Sequence, residues 1–255
     1  MSAAGSNNSI PLRLGSRYVE GLALSVASTT TLGIAVGRCR DSGNLNDMSL
    51  GSAATINAAN AGVLNGIDTG SLGASKLYYV YLIGSSLDPS GLHFPVGGLV
   101  SLSSSPLLPS GYDIYRRIGW AFTDGSSHFL TNYQTGDGLV RKYFWDTSIA
   151  VLTSGTASTL TAIDLSSAVP PIDNVLVTLE VAFTPATAND KVSFAPYGST
   201  ATVLPSISGV VAAKIQTGQL DVVAKLNSSL PKVLYINSAA SGNTDVQVYG
   251  FADVL

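Results

Sequence analysis

The sequence YRRIGWAFTDGSSHFLTNYQTGDGLVRKYFW, residues 115–145, decides the fold class of this chain. Its apolar residues are mostly aromatic or β-branched and fall into short segments between polar turns. Asp124-Gly125 and Asp137-Gly138 separate these segments, and an Asp-Gly pair is a strong signal for a tight hairpin. The stretch therefore predicts three successive antiparallel strands, over 115–122, 129–133 and 140–145.

The same pattern extends through the rest of the chain. Two apolar segments, 22–26 and 32–36, flank a Ser/Thr-rich turn, and the segment 77–83 is too short for a confident helix. Further candidate strands lie at 99–102, 149–152, 159–163, 174–183, 191–194, 220–226, 232–236 and 245–251. Many short strands separated by turns predict an all-β fold, built from two antiparallel β-sandwich or jelly-roll units.

Three regions are expected from the local composition. Residues 1–15 are rich in Ser, Asn and Gly and predict a flexible N-terminal arm that anchors the chain. Residues 16–150 form a β-rich module with most of the Tyr, Arg and Trp, and residues 151–255 form a C-terminal β-sandwich. The small-residue stretch LTSGTAST, 152–159, marks the soft boundary between them. One continuous fold is the alternative.

Charged residues make up only 11% of the chain, against about 25% in an ordinary soluble domain. A surface so poor in charge favours association, so we expect part of it to be covered by copies of the chain or by other subunits. The net charge of −3 and the lack of a Lys/Arg run argue against a nucleic-acid partner. No apolar stretch approaches the length of about 18 residues that predicts a membrane helix.

Few residues offer recognisable catalytic or metal-binding chemistry. Cys39 is the single cysteine, so we expect a small buried hydrophobe and neither a disulfide nor a cysteine-based metal site. His93 and His128 stand in no recognisable pairing with a nucleophile. Phosphate-loop, nucleophile-elbow and HExxH patterns are absent from the sequence. The sequence predicts no enzyme, no cofactor and no metal site.

One acidic stretch invites comparison with calcium loops. Asp41, Asn44, Asn46 and Asp47 place four oxygen-bearing side chains within seven residues. The spacing of an EF-hand and its terminal Glu are missing. An Asp/Asn-capped turn with arginine pairing is therefore the favoured interpretation.

Two carbohydrate-directed hypotheses also stay open. A sugar-cleaving site needs two carboxylates brought together by the fold, and four aspartates in the aromatic-rich stretch are available. They are Asp113, Asp124, Asp137 and Asp146. Aromatic side chains in the same region favour sheet-core packing, with lectin-like stacking on sugar rings as the alternative. They are Tyr112, Tyr115, Trp120, Phe122, Phe129, Tyr133, Tyr143, Phe144 and Trp145.

Several short segments, taken in order, resemble a β-rich module of tail-fibre-like and other virion proteins of tailed bacteriophages and prophages. The resemblance covers roughly residues 18–133. The segments that carry it are GRCRDSGN (37–44), NGIDTG (65–70), YYVYLIG (78–84), LPSGY (108–112), YRRIG (115–119) and TDGSS (123–127). The closing pattern over 233–251 is similar to the last hairpin of many fibre-tip sandwiches.

The resemblance implies a virion structural subunit, commonly a homotrimer, without catalytic residues. We expect a short tail-fibre or tail-tip component, assembled in the host bacterial cytoplasm and attached to other virion proteins through the N-terminal arm. A capsid head-decoration or head-fibre protein is one alternative. A tip that binds a host surface glycan or receptor is another.

Two polar, glycine-punctuated loops between predicted strands are the expected receptor contacts, because binding residues are concentrated on loops. Their candidate residues are Ser85, Ser86, Asp88, Ser90, His93, Ser241 and Asn243.

Overall fold

A computed structural model describes residues 18–88, 93–136, 140–200 and 204–255. Within these ranges every regular element is a β-strand, which confirms the all-β, antiparallel class. The described part contains no helix that could span a membrane. The N-terminal arm at 1–15, the Asp137-Gly138 turn and Ser90 lie outside the described residues.

The described strands number nineteen. The first ten are β1 Val19–Gly21, β2 Leu24–Ser28, β3 Thr31–Ile34, β4 Gly37–Arg40, β5 Asp47–Leu50, β6 Ala54–Asn57, β7 Gly66–Ile67, β8 Leu77–Gly84, β9 Gly97–Ser101 and β10 Ile114–Phe122. The others are β11 Asn132–Thr135, β12 Val140–Gly155, β13 Thr161–Asp164, β14 Val175–Thr184, β15 Lys191–Pro196, β16 Ser206–Ser208, β17 Gln216–Asn227, β18 Leu230–Asn237 and β19 Asn243–Val254.

The strands form four sheets. Two small ones have the orders β1-β4-β5 and β2-β3-β6, and a four-stranded sheet has the order β10-β8-β9-β7. The nine-stranded sheet has the order β11-β12-β19-β14-β17-β18-β15-β16, with β13 also paired to β18. Pairing between the named strands is antiparallel except for the short β7–β9 pair.

Most of the predicted strands are present, but the region after β10 differs. No strand forms over 129–131, and Phe129 makes a single bridge to Thr123. The reason is the Asp124 carboxylate, whose Oδ1 accepts hydrogen bonds from the main-chain N–H groups of Ser126 (2.7 Å) and His128 (2.9 Å). These bonds hold a wider turn than a two-residue hairpin. The predicted segments 140–145 and 149–152 are parts of one bulged strand, β12.

Strands β8 and β10 are covered on both faces, which explains the nearly continuous apolar sequence of β8. Tyr78 and Val80 of β8 join one core, together with Ile118 of β10. Trp120 and Phe122 of β10 join a second core with the inner face of the nine-stranded sheet. The paired strands β8 and β10 thus form a layer between two hydrophobic cores.

Between Phe122, the last residue of β10, and Asn132, the first residue of β11, the chain passes from the four-stranded sheet to the nine-stranded sheet. The last strand, β19, lies near the middle of that sheet between β12 and β14. Residues from both predicted domains therefore contribute to one core, in which Phe122 packs against Phe251 with ring centroids 6.2 Å apart. The domain boundary at residues 150/151 stays a prediction.

A buried carboxylate joins β19 to β10. The side chain of Asp253 has no solvent exposure, and its Oδ2 accepts a hydrogen bond from Trp120 Nε1 at 2.6 Å. Arg117 donates to the same oxygen through Nη1 and to the Val254 carbonyl through Nη2 at 2.9 Å. The Arg117 guanidinium also lies 4.6 Å from the centre of the Trp120 ring, a cation–π distance. The carboxylate is therefore paired and hydrogen-bonded, as a buried charge must be.

Arg141, the neighbour of Asp253 across the β12–β19 pair, holds the first strands in place. It is only 2% exposed, and its Nη1 donates to the carbonyl oxygens of Leu22 (2.8 Å) and Ile118 (3.1 Å). Its Nη2 donates to the carbonyl of Gly21. One guanidinium thereby links β12 to β10 and to the β1–β2 connection.

We expect replacement of Asp253 by Ala to lower the free energy of unfolding by about 3 kcal/mol, because the substitution leaves the largely buried Arg117 guanidinium without its carboxylate partner. Urea denaturation followed by tryptophan fluorescence measures this, since both Trp120 and Trp145 are buried. The matched control is Asp47→Ala, which removes the exposed Arg40–Asp47 ion pair at a cost of about 1 kcal/mol or less. Equal losses in the two variants would contradict the role assigned to Asp253.

Candidate functional site

The first predicted contact loop, between β8 and β9, is hydrogen-bonded to Asp113, the residue before β10. Ser85 is buried, and Ser86 donates to Asp113 from its main-chain N–H (2.7 Å to Oδ1) and from its hydroxyl. These hydrogen bonds stabilise the charged form and lower the pKa of Asp113 below its ordinary value. Leu87, which follows Ser86, is 91% exposed.

Within the same loop, Asp88 accepts hydrogen bonds from the main chain a few residues further on. Its Oδ2 accepts the main-chain N–H groups of His93 (2.5 Å) and Phe94 (2.8 Å), while the His93 side chain is exposed. Ser90 lies between them, outside the described residues. The contact role of this loop stays a prediction.

The second predicted loop, 238–243, joins β18 to β19 in the nine-stranded sheet. Ser241 is exposed, whereas Asn243 is half-buried. Asn237 fixes the base of the loop, because its Nδ2 donates to the carbonyls of Gly155 and Gly242, both at 3.0 Å. The two predicted loops thus leave different sheets, and a shared receptor role for them also stays a prediction.

The acidic stretch between β4 and β5 is a capped turn. Asp41 Oδ1 accepts the main-chain N–H groups of Leu45 (2.7 Å) and Asn46 (3.0 Å), and its Oδ2 accepts Asn46 Nδ2. Although partial burial works to raise it, these hydrogen bonds lower the pKa of Asp41. Arg40 pairs with Asp47 at 3.0 Å. The described residues contain no group of three or more His, Cys, Asp or Glu suited to a metal ion.

Cys39 is fully buried on β4. Burial raises the pKa of its thiol to about 12, so the group is protonated at neutral pH. The thiolate is the nucleophilic form of cysteine. The geometry therefore fits the expected small hydrophobe.

Of the four aspartates considered for sugar cleavage, two already accept hydrogen bonds within the protein. Asp113 accepts from Ser86, and Asp124 caps the turn after β10. Asp146 is exposed on β12, and Asp137 lies outside the described residues. Nothing in the described geometry pairs two of these carboxylates.

A shallow groove of about 390 Å³ lies on the outer face of the nine-stranded sheet, where sequence reasoning placed no site. Its wall contains Glu180 of β14, whose Oε1 accepts Gln219 Nε2 at 2.9 Å and whose Oε2 accepts the Ser148 hydroxyl. Gln247 lies opposite Glu180 on β19. Alternation along β14, with Val181 inward and Glu180 outward, was the sequence signal for this polar face.

Three aromatic side chains lie beside the groove on the same face. Tyr133 stacks on Phe144 with ring centroids 5.3 Å apart, and Phe144 packs on Tyr249 at 5.4 Å. The hydroxyls of Tyr133 and Tyr249 are 3.1 Å apart, and this contact raises the pKa of Tyr133. Tyr133 is 49% exposed. We call Tyr133, Phe144 and Tyr249 the aromatic triad.

The remaining candidates of the aromatic group have different surroundings. Trp120, Phe122, Tyr143 and Trp145 belong to the second core, as sheet-core packing requires, and Phe129 belongs to the first. Tyr112 and Tyr115 are half-buried against a small third core.

Comparisons with known proteins identify no family. No protein-family model matches the chain, and no curated protein matches it. Matching solved structures include the functional form of the mosquito-larvicidal Cry4Aa toxin from Bacillus thuringiensis, with 8% identity, a TM-score of 0.21, and coverage of 94% of this chain and 52% of the toxin. Another is a Bacillus thuringiensis Cry1Da tryptic core variant, with 8% identity, a TM-score of 0.22, and coverage of 92% of this chain and 50% of the variant. The chain spans about half the length of these proteins, and TM-scores this low support no shared fold or function.

Proposed function

We propose that this chain is a structural subunit of a tailed-bacteriophage virion, placed in a short tail fibre or the tail tip. The virion assignment is supported by the ordered resemblance over residues 18–133. The structural role is supported by an all-β architecture and a chain in which only 11% of the residues are charged. Attachment to other virion proteins through residues 1–15 is part of the proposal.

The observation that carries the assembly role is an exposed, mainly apolar segment at 210–215, VVAAKI, between β16 and β17. Val210, Val211 and Ile215 are 70%, 52% and 66% exposed. The segment is held in a defined conformation, because Ala213 N–H donates to the Pro185 carbonyl at 2.9 Å. A preformed apolar surface of this kind is typical of an association site. We assign it to contacts between copies, in the homotrimer that the resemblance implies.

Replacing Val210, Val211 and Ile215 together by Ser should weaken the trimer, because association buries these three side chains. Sedimentation velocity at micromolar concentration measures the change as a shift from trimer towards monomer. Leu45→Ser is the control, since Leu45 is 81% exposed and lies in the turn between β4 and β5. A parent chain that sediments as a monomer would refute self-association. A triple variant that stays trimeric would remove the 210–215 segment from the interface.

Quantitative mass spectrometry of purified virions tests the function itself. A tail component should be present at a few to a few tens of copies per particle. Hundreds of copies would replace the tail position by head decoration, the alternative within the same class. A chain found in infected cells but absent from purified particles would contradict the virion assignment.

A further inference from the structure

The groove beside Glu180 carries the chemistry of a site for hydroxyl-rich ligands. Its polar lining includes the carboxylates of Glu180 and Asp245 and the amides of Gln219 and Gln247, which together accept and donate hydrogen bonds. Glu180 is oriented from both sides, by Gln219 and by Ser148. The volume of about 390 Å³ falls within the range of about 300–1,000 Å³ that is usual for small-ligand sites.

The aromatic triad continues this site along the strand direction. Gln247 and Tyr249 are two residues apart on β19, which corresponds to about 7 Å along a strand. Both side chains lie on the outer face, since Tyr249 contacts Phe144 and Tyr133 there. The groove and the triad therefore form one surface with a polar half and an aromatic half.

Two irregularities in the sheet meet at Tyr249. In the β12–β19 pair, Phe144 is opposite Gly250 and Ile149 is opposite Val248, so residues 145–148 bulge beside Tyr249. In the β14–β19 pair, the register skips Tyr249 between Thr178 and Leu179. β-Bulges are over-represented at functional sites, where they redirect side chains. Here the bulge of β12 also brings the Ser148 hydroxyl to Glu180.

The charge of the surface selects among possible ligands. Among the described residues that line the groove, the charged ones are both acidic, Glu180 and Asp245. These two carboxylates disfavour an anionic ligand such as nucleic acid or a uronate-rich polymer in the groove, while Lys142 and Asp221 lie together beside Phe144. The hydroxyl groups of a neutral sugar can donate hydrogen bonds to the carboxylates. Its polarised C–H groups can pack on the electron-rich face of an aromatic ring.

A second copy of the chain fits this face less well. Interface cores between subunits are depleted in charged residues, whereas Glu180, Asp245, Lys142 and Asp221 all lie on this side of the sheet. The apolar segment at 210–215 is better suited to contacts between copies.

We propose that the groove and the aromatic triad form a binding site for an uncharged oligosaccharide. Glu180 and Gln247 bind the hydroxyls, and Tyr249 with Phe144 supplies the stacking surface. The host cell surface as the source of the glycan rests on the proposed function, but the binding chemistry does not.

The test uses the full chain and an array of uncharged hexose, deoxyhexose and N-acetylhexosamine oligosaccharides, with uronate- and sialate-containing ones alongside. We expect binding to members of the uncharged set only. For the best ligand, Tyr249→Ala should weaken binding at least tenfold by isothermal titration calorimetry. Ala182→Leu, which fills the groove without removing a polar group, should do the same. Tyr197→Ala is the matched control, because Tyr197 lies after β15 and packs near Lys232.

Three binding results would overturn the proposal, and one sedimentation result would also do so. The binding results are no binding to the uncharged set, preferential binding of acidic glycans, and equal weakening by Tyr197→Ala in variants whose melting temperatures match the parent. A smaller sedimenting species for Tyr249→Ala would instead make this face an interface between copies. Because copy number in virions is measured independently, failure of the glycan site leaves the virion assignment intact, and the reverse also holds.

Discussion

The buried Asp253 carboxylate holds the nine-stranded sheet against strand β10. It binds Trp120 and Arg117 of β10 from a position one residue before the end of β19. Strand β19 lies between β12 and β14 in the nine-stranded sheet, so this contact fixes the whole sheet against the β8–β10 layer. A desolvated charge tolerates few other arrangements, since leaving it unpaired costs several kcal/mol. The pair therefore specifies how the two halves pack as well as stabilising them.

The layer formed by β8 and β10 transmits that constraint to the first half of the chain. Its two faces serve two cores, with Ile118 on one side and Trp120 on the other. Arg141 adds a second link from β12 to the Leu22 carbonyl. As a result, the outer face of the nine-stranded sheet is backed by a continuous packed interior. Such a packed support suits the proposed binding surface, in which the aromatic triad and the Glu180 groove must keep their relative positions.

Much of the strand series could be predicted from local sequence, and the long-range contacts could not. Alternation along 174–183 predicts β14 because one face is buried, and the sequence 77–84 predicts a strand through its aromatic and β-branched residues. Arg117 and Asp253 are 136 residues apart, and their pairing depends on the order of strands within the sheets. The groove is equally non-local, since Glu180, Gln219 and Gln247 come from three strands. The strand predicted from Phe129 onwards does not form over 129–131, because Asp124 caps a wider turn before it.

The two cores are linked through β10 and are expected to unfold as one cooperative body that presents a single outer sheet face. Differential scanning calorimetry of the intact chain tests this most directly, because calorimetric and van't Hoff enthalpies agree only for an all-or-none transition. The expected result is one transition with equal enthalpies. Two resolved transitions, or a calorimetric enthalpy about twice the van't Hoff value, would show that the halves unfold independently and would contradict the linking role of Asp253.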